Sequence, residues 1–280
     1  MIARKSIGKI GAFMRQEKRA GHYVRHEDLE YGRAVRRGEE VGLKLDLTVP
    51  RSAPGPVPLV MWIHGGGFRA GQKTWAGHMT DARWLTKAGY AYASIDYRLK
   101  AGSEDLSAPV ARRMAKLRQY RSHGFRKNLS GAASLAAMED ALTALSWLDG
   151  QRDNYNLSDW VAIGGNSAGA ITAFNLVHLS GFFGLWRPAI RGLVSISGGF
   201  AYPSLYSPSQ VPVHALHGPG DELVDIRFIR EIARIGGDAV ELVESEDQQH
   251  GRVRLHPKEP PRDAYARIIG FFDGLRRAEN

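Results

Sequence analysis

The chain contains 280 residues, 43% of them hydrophobic, and carries a formal net charge of +9. This length is sufficient for one large core, and no linker or internal repeat divides it, so we expect a single folded domain with added segments. Cysteine is absent, which excludes disulfides, thiolate nucleophiles and cysteine-ligated metal sites.

The positive charge is concentrated in two segments. Residues 1–37 hold ten Lys or Arg and four Asp or Glu, and residues 100–127 hold eight Lys or Arg and two Asp or Glu. The two segments together therefore carry +12, and the remainder of the chain carries −3. Such segments either attract an anionic substrate or surface, or form a solvated face that aids solubility. No nucleic-acid recognition motif accompanies them, so no nucleic-acid partner is expected.

The amino-terminal sequence is basic but has no continuous apolar region and no small-residue cleavage site, so it does not resemble a signal peptide. No apolar run approaches the length of a membrane span. We therefore expect a soluble, cytoplasmic protein.

Eight short strands are predicted in chain order. The first is weak, the second alternates apolar and polar residues, and the other six are apolar runs typical of strands buried on both faces. The predicted strands are Leu29–Arg33, Val41–Val49, Val57–Ile63, Tyr90–Ile95, Trp160–Gly164, Gly192–Ile196, Val211–Leu216 and Ala239–Val243.

Helical periodicity separates most of the later strands. The predicted helices are Leu135–Leu148, Ser167–Leu179, Asp225–Ile235 and Asp263–Leu275. Alternating strands and helices favour an α/β fold, with a mostly parallel sheet of eight strands flanked by helices. In such sheets the functional site lies beyond the carboxyl ends of the strands.

Two segments fall outside this alternation. In residues 1–28, Ile7, Ile10 and Met14 suggest a weakly amphipathic helix, and residues 100–131 contain a second amphipathic helix that Ser107 can cap. We interpret both segments as a small lid over the carboxyl ends of the strands. The predicted organisation is thus a lid segment, 1–28, and a main domain, 29–280, with 100–131 as a lid-like insertion.

The strongest chemical signal is Gly-Asn-Ser-Ala-Gly at 165–169, between a predicted strand and a predicted helix. A nucleophilic serine on a sharp strand-to-helix turn needs small neighbours, and the helix that follows directs its first N–H groups toward developing negative charge. Ser167 is therefore the candidate nucleophile. An ordinary glycine-rich turn is the alternative.

A second signal, His-Gly-Gly-Gly-Phe at 64–68, follows another predicted strand. Consecutive glycines allow backbone N–H groups to converge on one point, as an oxyanion hole requires. A phosphate-binding loop is the alternative, but the Gly-x-Gly-x-x-Gly spacing and the Lys-Ser/Thr of a P-loop are missing. We interpret His64 as a residue that braces this loop.

Together with Asp-Tyr-Arg at 96–98, these motifs resemble those of the HGGG-type carboxylesterases, the hormone-sensitive-lipase-like branch of the α/β-hydrolase fold. The resemblance covers residues 29–275, apart from the insertion at 100–131. It implies a serine esterase in which the N–H groups of Gly66, Gly67 and Ala168 form the oxyanion hole.

Two further motifs supply an acid and a base in the chain order of this fold, which is serine, acid, histidine. Asp221 follows a predicted strand and matches the acid position of the family, with Glu222 and Asp225 as rivals. His250 follows the last predicted strand and can serve as the general base, with His256 as its rival.

Such machinery needs neither a cofactor nor a metal, and a small-molecule ester of small to medium acyl chain is the expected substrate. The connection before the predicted strand at 211 is too short to carry a large cap. Lactones, arylformamides or short peptides are alternative substrates, and a non-catalytic ligand-binding protein is a further alternative. The candidate substrate-binding residues are Phe68, Asn166, Phe200 and Tyr202.

Overall fold

The computed structural model describes residues 17–209, 211–246 and 249–279. They form one nine-stranded sheet with helices on both faces. The strands are β1 (Glu17–Ala20), β2 (Tyr23–Arg36), β3 (Glu39–Pro50), β4 (Val57–Ile63), β5 (Ala91–Ile95), β6 (Leu157–Asn166), β7 (Gly192–Ile196), β8 (Val213–His217) and β9 (Val240–Glu244). The helices are α1 (Ala76–Lys87), α2 (Ala108–Leu117), α3 (Ala132–Gly150), α4 (Arg152–Tyr155), α5 (Ala168–Phe183), α6 (Arg227–Gly236) and α7 (Pro261–Glu279).

The strand order is β1-β2-β3-β5-β4-β6-β7-β8-β9. The six strands from β4 to β9 are parallel, whereas β1, β2 and β3 pair antiparallel at one side of the sheet. Parallel pairing places the carboxyl ends of β4 to β9 along one edge, and the sequence motifs follow these ends. The prediction of a mostly parallel sheet flanked by helices is confirmed, and all eight predicted strands are present.

Each face of the sheet packs a separate apolar core. Along β4, Leu59, Met61 and Ile63 belong to the core that also contains residues of α3, α5 and α6, whereas Val60 and Trp62 belong to the core under α1 and α7. Side chains alternate between faces along a strand, so one apolar run supplies both cores. None of the described helices is long and apolar enough to cross a bilayer.

The amino-terminal segment belongs to the sheet where the structure describes it. Residues 17–20 and 23–28 form β1 and the start of β2, and Tyr23 pairs with Pro50 at the end of the sheet opposite the carboxyl ends of the parallel strands. The described residues of this segment are therefore strands at the edge of the sheet, and the lid role that we predicted for 1–28 stays a prediction. The helix predicted around Ile7, Ile10 and Met14 lies outside the described residues.

The insertion at 100–131 has two parts. The first contains α2, which begins after Ser107 and packs beside the end of α5, where Arg113 Nη1 donates to Phe182 O at 2.6 Å. The second part, residues 124–129, borders the cavities at the carboxyl edge. Lys100 and Ala101 in the first part also border a cavity at this edge, and a lid role for the insertion stays a prediction.

Candidate active site

Ser167 occupies a strained turn between β6 and α5. Its backbone angles, φ 54° and ψ −117°, are rare for a residue other than glycine. A Cβ at Gly169 would lie 1.9 Å from Ile63 O, and one at Gly165 would lie 2.5 Å from the carbonyl carbon of Gly169. The two flanking glycines are therefore required by close backbone contact, and the turn presents Ser167 in a cleft at the carboxyl edge of the sheet.

Asp221 and His250 meet at the same edge, one after β8 and the other after β9. His250 Nδ1 lies 2.6 Å from Asp221 Oδ2, and the second carboxylate oxygen accepts from the backbone N–H groups of Leu223 and Val224 at 2.9 and 3.0 Å. The structure thus brings this predicted pair together, with the Asp221 side chain buried and the imidazole partly exposed.

The Asp221 carboxylate is held in its charged form by its donors. Burial raises its pKa, but hydrogen bonds from His217, His250 and the Val224 backbone lower it more, so the pKa lies well below the ordinary value. His217 is buried, with Nε2 3.3 Å from Asp221 Oδ2 and 2.8 Å from Val224 O. Sequence analysis did not single out His217, although it stands only four residues before Asp221.

The glycine loop lies against the serine turn. Gly66 and Gly67 have φ angles of 106° and 61°, and a Cβ on Gly65 would lie 3.4 Å from the Ser167 Cβ. Among the described residues, no backbone acceptor engages the N–H groups of Gly66, Gly67 or Ala168. Three N–H groups beside Ser167, two on the glycine loop and one at the start of α5, thus have no backbone acceptor among the described residues.

His64 and the Asp-Tyr-Arg motif brace this loop. His64 Nδ1 donates to Gly65 O at 2.7 Å, and its ring stacks on Tyr97, whose hydroxyl donates to His64 O at 3.0 Å. Burial lowers the pKa of His64 to about 4, so the imidazole is neutral near pH 7. Arg98 forms a buried ion pair with Asp140 on α3 at 2.8 Å.

Ser167 and His250 line one open cavity, which we call the central cleft. Its volume is about 1070 Å³. Trp75 and Leu223, which also line it, are 41% and 53% exposed, so the cleft offers apolar surface to a ligand. Within the described part of the chain, no group of three or more His, Asp or Glu side chains is placed to hold a metal ion.

The four candidate substrate-binding residues occupy different environments. Asn166 lines the central cleft, but its amide bonds to Trp62 and Gly251. Phe68 is buried beside a neighbouring cavity. Phe200 and Tyr202 are 1% and 2% exposed and do not line the cleft, because the short connection after β7 folds into the core against α5.

Comparison with known proteins supports the fold. A family model described as BD-FAE matches residues 45–113, about a quarter of the chain, which contain the glycine loop and the Asp-Tyr-Arg motif. No curated protein matches the chain significantly.

Several solved esterase structures are similar to the chain. An esterase from the fungus Rhizomucor miehei has 18% sequence identity and a TM-score of 0.63, with 92% of this chain and 85% of that chain covered. Esterase B from Lactobacillus rhamnosis has 15% identity and a TM-score of 0.65, with coverages of 94% and 89%. A bacterial heroin esterase has 17% identity and a TM-score of 0.60, with coverages of 88% and 82%. Taken with the strand order, these likenesses show that the chain has the α/β-hydrolase fold.

Proposed function

We propose that the protein is a serine hydrolase that cleaves carboxylic esters of small to medium acyl chain. The observation that carries the proposal is the 2.6 Å contact between His250 and Asp221, in a cleft that also presents Ser167 on a strained strand-to-helix turn. A nucleophile, a base and an acid at one sheet edge are the parts that acyl transfer needs.

The proposed reaction has two steps. Ser167 Oγ attacks the ester carbonyl while His250 Nε2 accepts the serine proton, and Asp221 holds the imidazole through Nδ1–H. The N–H groups of Gly66, Gly67 and Ala168 stabilise the oxyanion, and His250 returns the proton to the departing alcohol. Water then attacks the acyl-enzyme while His250 accepts its proton, and His250 passes that proton to Ser167 Oγ as the bond to the acyl carbon breaks and the acid leaves. Protein groups supply every proton transfer in this scheme.

The shape of the central cleft supports a small ester rather than a long lipid chain. The cleft is open to solvent, and its wall combines the apolar side chains of Trp75, Leu223 and Val224 with polar groups. Such a mixed wall suits a compact molecule with one apolar end.

The test is a series of p-nitrophenyl esters from acetate to laurate with the wild-type protein, Ser167→Ala and the exposed control Ser209→Ala. We expect hydrolysis that declines with long acyl chains, at least a thousandfold loss of kcat in Ser167→Ala, on the order seen when a triad member is removed, and no loss in the control. A fluorophosphonate should label Ser167. An inert wild-type protein, or labelling of a different serine, contradicts the proposal.

A further inference from the structure

A second cavity adjoins the central cleft on the other side of the glycine loop. Its volume is about 690 Å³, and Gly67 and Asn128 line both cavities. A ligand that is bound at the donors of the loop can therefore extend past Gly67 into this space. Because its wall includes Arg37, Arg69 and Lys100, we call it the basic side cavity.

The cations of the basic side cavity form no ion pair with a described carboxylate. None of the described residues that line it is acidic, and no described carboxylate lies within 4 Å of the three cationic groups. Asp105 is near, but its two oxygens accept from the backbone N–H groups of Arg37 and Gly102 at 2.6 and 2.8 Å. The three cations are thus available to an anionic ligand.

Two of these cationic residues have left-handed backbone conformations. Arg37 and Lys100 have φ angles of 54° and 58°, a region that glycine and asparagine occupy most readily. The N–H of Lys100 donates to Phe68 O at 2.8 Å, which fixes its turn to the glycine loop. Backbone hydrogen bonds at both residues thus hold the origins of these two cationic side chains beside the cavity.

The start of α3 adds to the positive potential. Gly131, Ala132 and Ala133 line the basic side cavity, and the first turn of this 19-residue helix contains no acidic side chain. The N–H groups of a first turn have no acceptor within their own helix, and the helix dipole is positive at this end. These groups reinforce the three cations, which carry the main charge.

We propose that the basic side cavity binds a carboxylate of the substrate, so that the preferred esters carry a carboxylate in addition to the scissile bond. This inference rests on the proposed ester hydrolysis at Ser167 and specifies its substrate class. It also accounts for two of the basic residues in the charged segments, Arg37 and Lys100.

The test compares each acid with its neutral amide of nearly the same shape. One pair carries the group in the acyl half, ethyl hydrogen adipate and its monoamide, with the shorter and longer dicarboxylic homologues from succinate to suberate. The other pair carries it in the alcohol half, 4-carboxyphenyl butyrate and 4-carbamoylphenyl butyrate. For at least one pair, we expect kcat/KM for the acid to exceed that for the amide about tenfold or more.

The variants are Arg37→Asn, Arg69→Gln and Lys100→Asn, combined in one protein, because asparagine tolerates the left-handed backbone at 37 and 100. We expect the acid-to-amide preference to fall about ten- to hundredfold, mainly through KM. The matched control removes three exposed cations that line neither cavity, through Arg51→Gln, Lys87→Gln and Arg234→Gln.

Two results overturn the inference alone: a wild-type enzyme that hydrolyses acids and amides equally well, or a triple variant that keeps the preference as fully as the control does. A wild-type protein that hydrolyses neither member of any pair, and that no fluorophosphonate labels, instead contradicts the proposed function and the inference with it.

Discussion

Gly251, the residue after His250, is held on both sides by side chains. Its N–H donates to Ser197 Oγ at 2.9 Å, and its carbonyl accepts from Asn166 Nδ2 at 3.0 Å. The Asn166 amide is oriented in turn by Trp62, whose indole N–H donates to Oδ1 at 2.7 Å. Asp221 holds the imidazole ring, whereas this clamp holds the backbone that carries it.

The clamp predicts that Asn166 positions His250. We expect Asn166→Ala to lower kcat about tenfold and leave KM within about twofold, because a displaced base slows proton transfer without removing a substrate contact. Steady-state kinetics with p-nitrophenyl butyrate measures both constants, and the exposed Asn154→Ala serves as the control. An unchanged kcat, or a loss confined to KM, would mean that Asn166 does not act through His250.

At the scale of single residues, a motif that follows a strand indicates which edge of the sheet its residues will occupy. Ser167, Asp221 and His250 follow the ends of predicted strands by three, five and seven residues, and the structure places all three at one edge. Ser197 was missed because its contact joins residues distant in sequence, and His217 because its contacts depend on how the loop after β8 folds. Phe200 and Tyr202 were expected in the pocket, but aromatic residues suit a core equally well.

At the level of elements, apolar periodicity identifies the buried strands and most helices. The strand β1 and the helices α1 and α4 escaped prediction. Glu-Lys-Arg-Ala at 17–20 has no strand-like composition, and it is extended only because β2 offers a free edge. The α1 sequence contains Gly77 and two threonines, which weaken its helical signal.

One buried carboxyl joins α1, α7 and the sheet. Asp81 on α1 accepts hydrogen bonds from the hydroxyls of Tyr265 on α7 and Tyr92 on β5. Burial raises the pKa of Asp81 to about 7, although both tyrosine hydrogen bonds lower it. Because the unfolded chain loses this proton near pH 4, the folded state binds more protons between about pH 4 and pH 7, and stability falls as the pH rises through this range.

Asp81→Asn should remove this pH dependence. We expect the difference in free energy of unfolding, variant minus wild type, to be about 2 kcal/mol larger at pH 8 than at pH 5, because asparagine stays uncharged at both pH values. Its Oδ1 can accept from one tyrosine hydroxyl while its Nδ2–H donates to the hydroxyl oxygen of the other. Urea unfolding at both pH values measures the difference, with the exposed Asp153→Asn as the control. Parallel pH profiles for wild type and variant would refute this role of Asp81.

At the scale of the whole molecule, topology gathers charges that the sequence keeps apart. The register of Leu45 with Ile95 places the β2–β3 turn beyond the carboxyl end of β5, so Arg37 comes to lie beside the same cavity as Lys100. Arg126, Arg252 and Arg254 line the central cleft, where Asp81 is the one acidic residue among the described lining residues. The charge counts predict basic segments, but only strand pairing brings them to the site.

This concentration of charge predicts that salt affects anionic substrates selectively. Raising the ionic strength from 10 to 100 mM shortens the Debye length from about 30 Å to about 10 Å, which weakens attraction between the cavities and an approaching carboxylate. We expect kcat/KM for ethyl hydrogen adipate to fall about three- to tenfold and that for its amide to change by less than about twofold. The triple variant at 37, 69 and 100 should show a shallower dependence than the wild type. A salt effect on folding would lower both rates alike, so only a difference between acid and amide reports attraction. Equal salt dependence for the two substrates would therefore show that these cations do not attract the carboxylate.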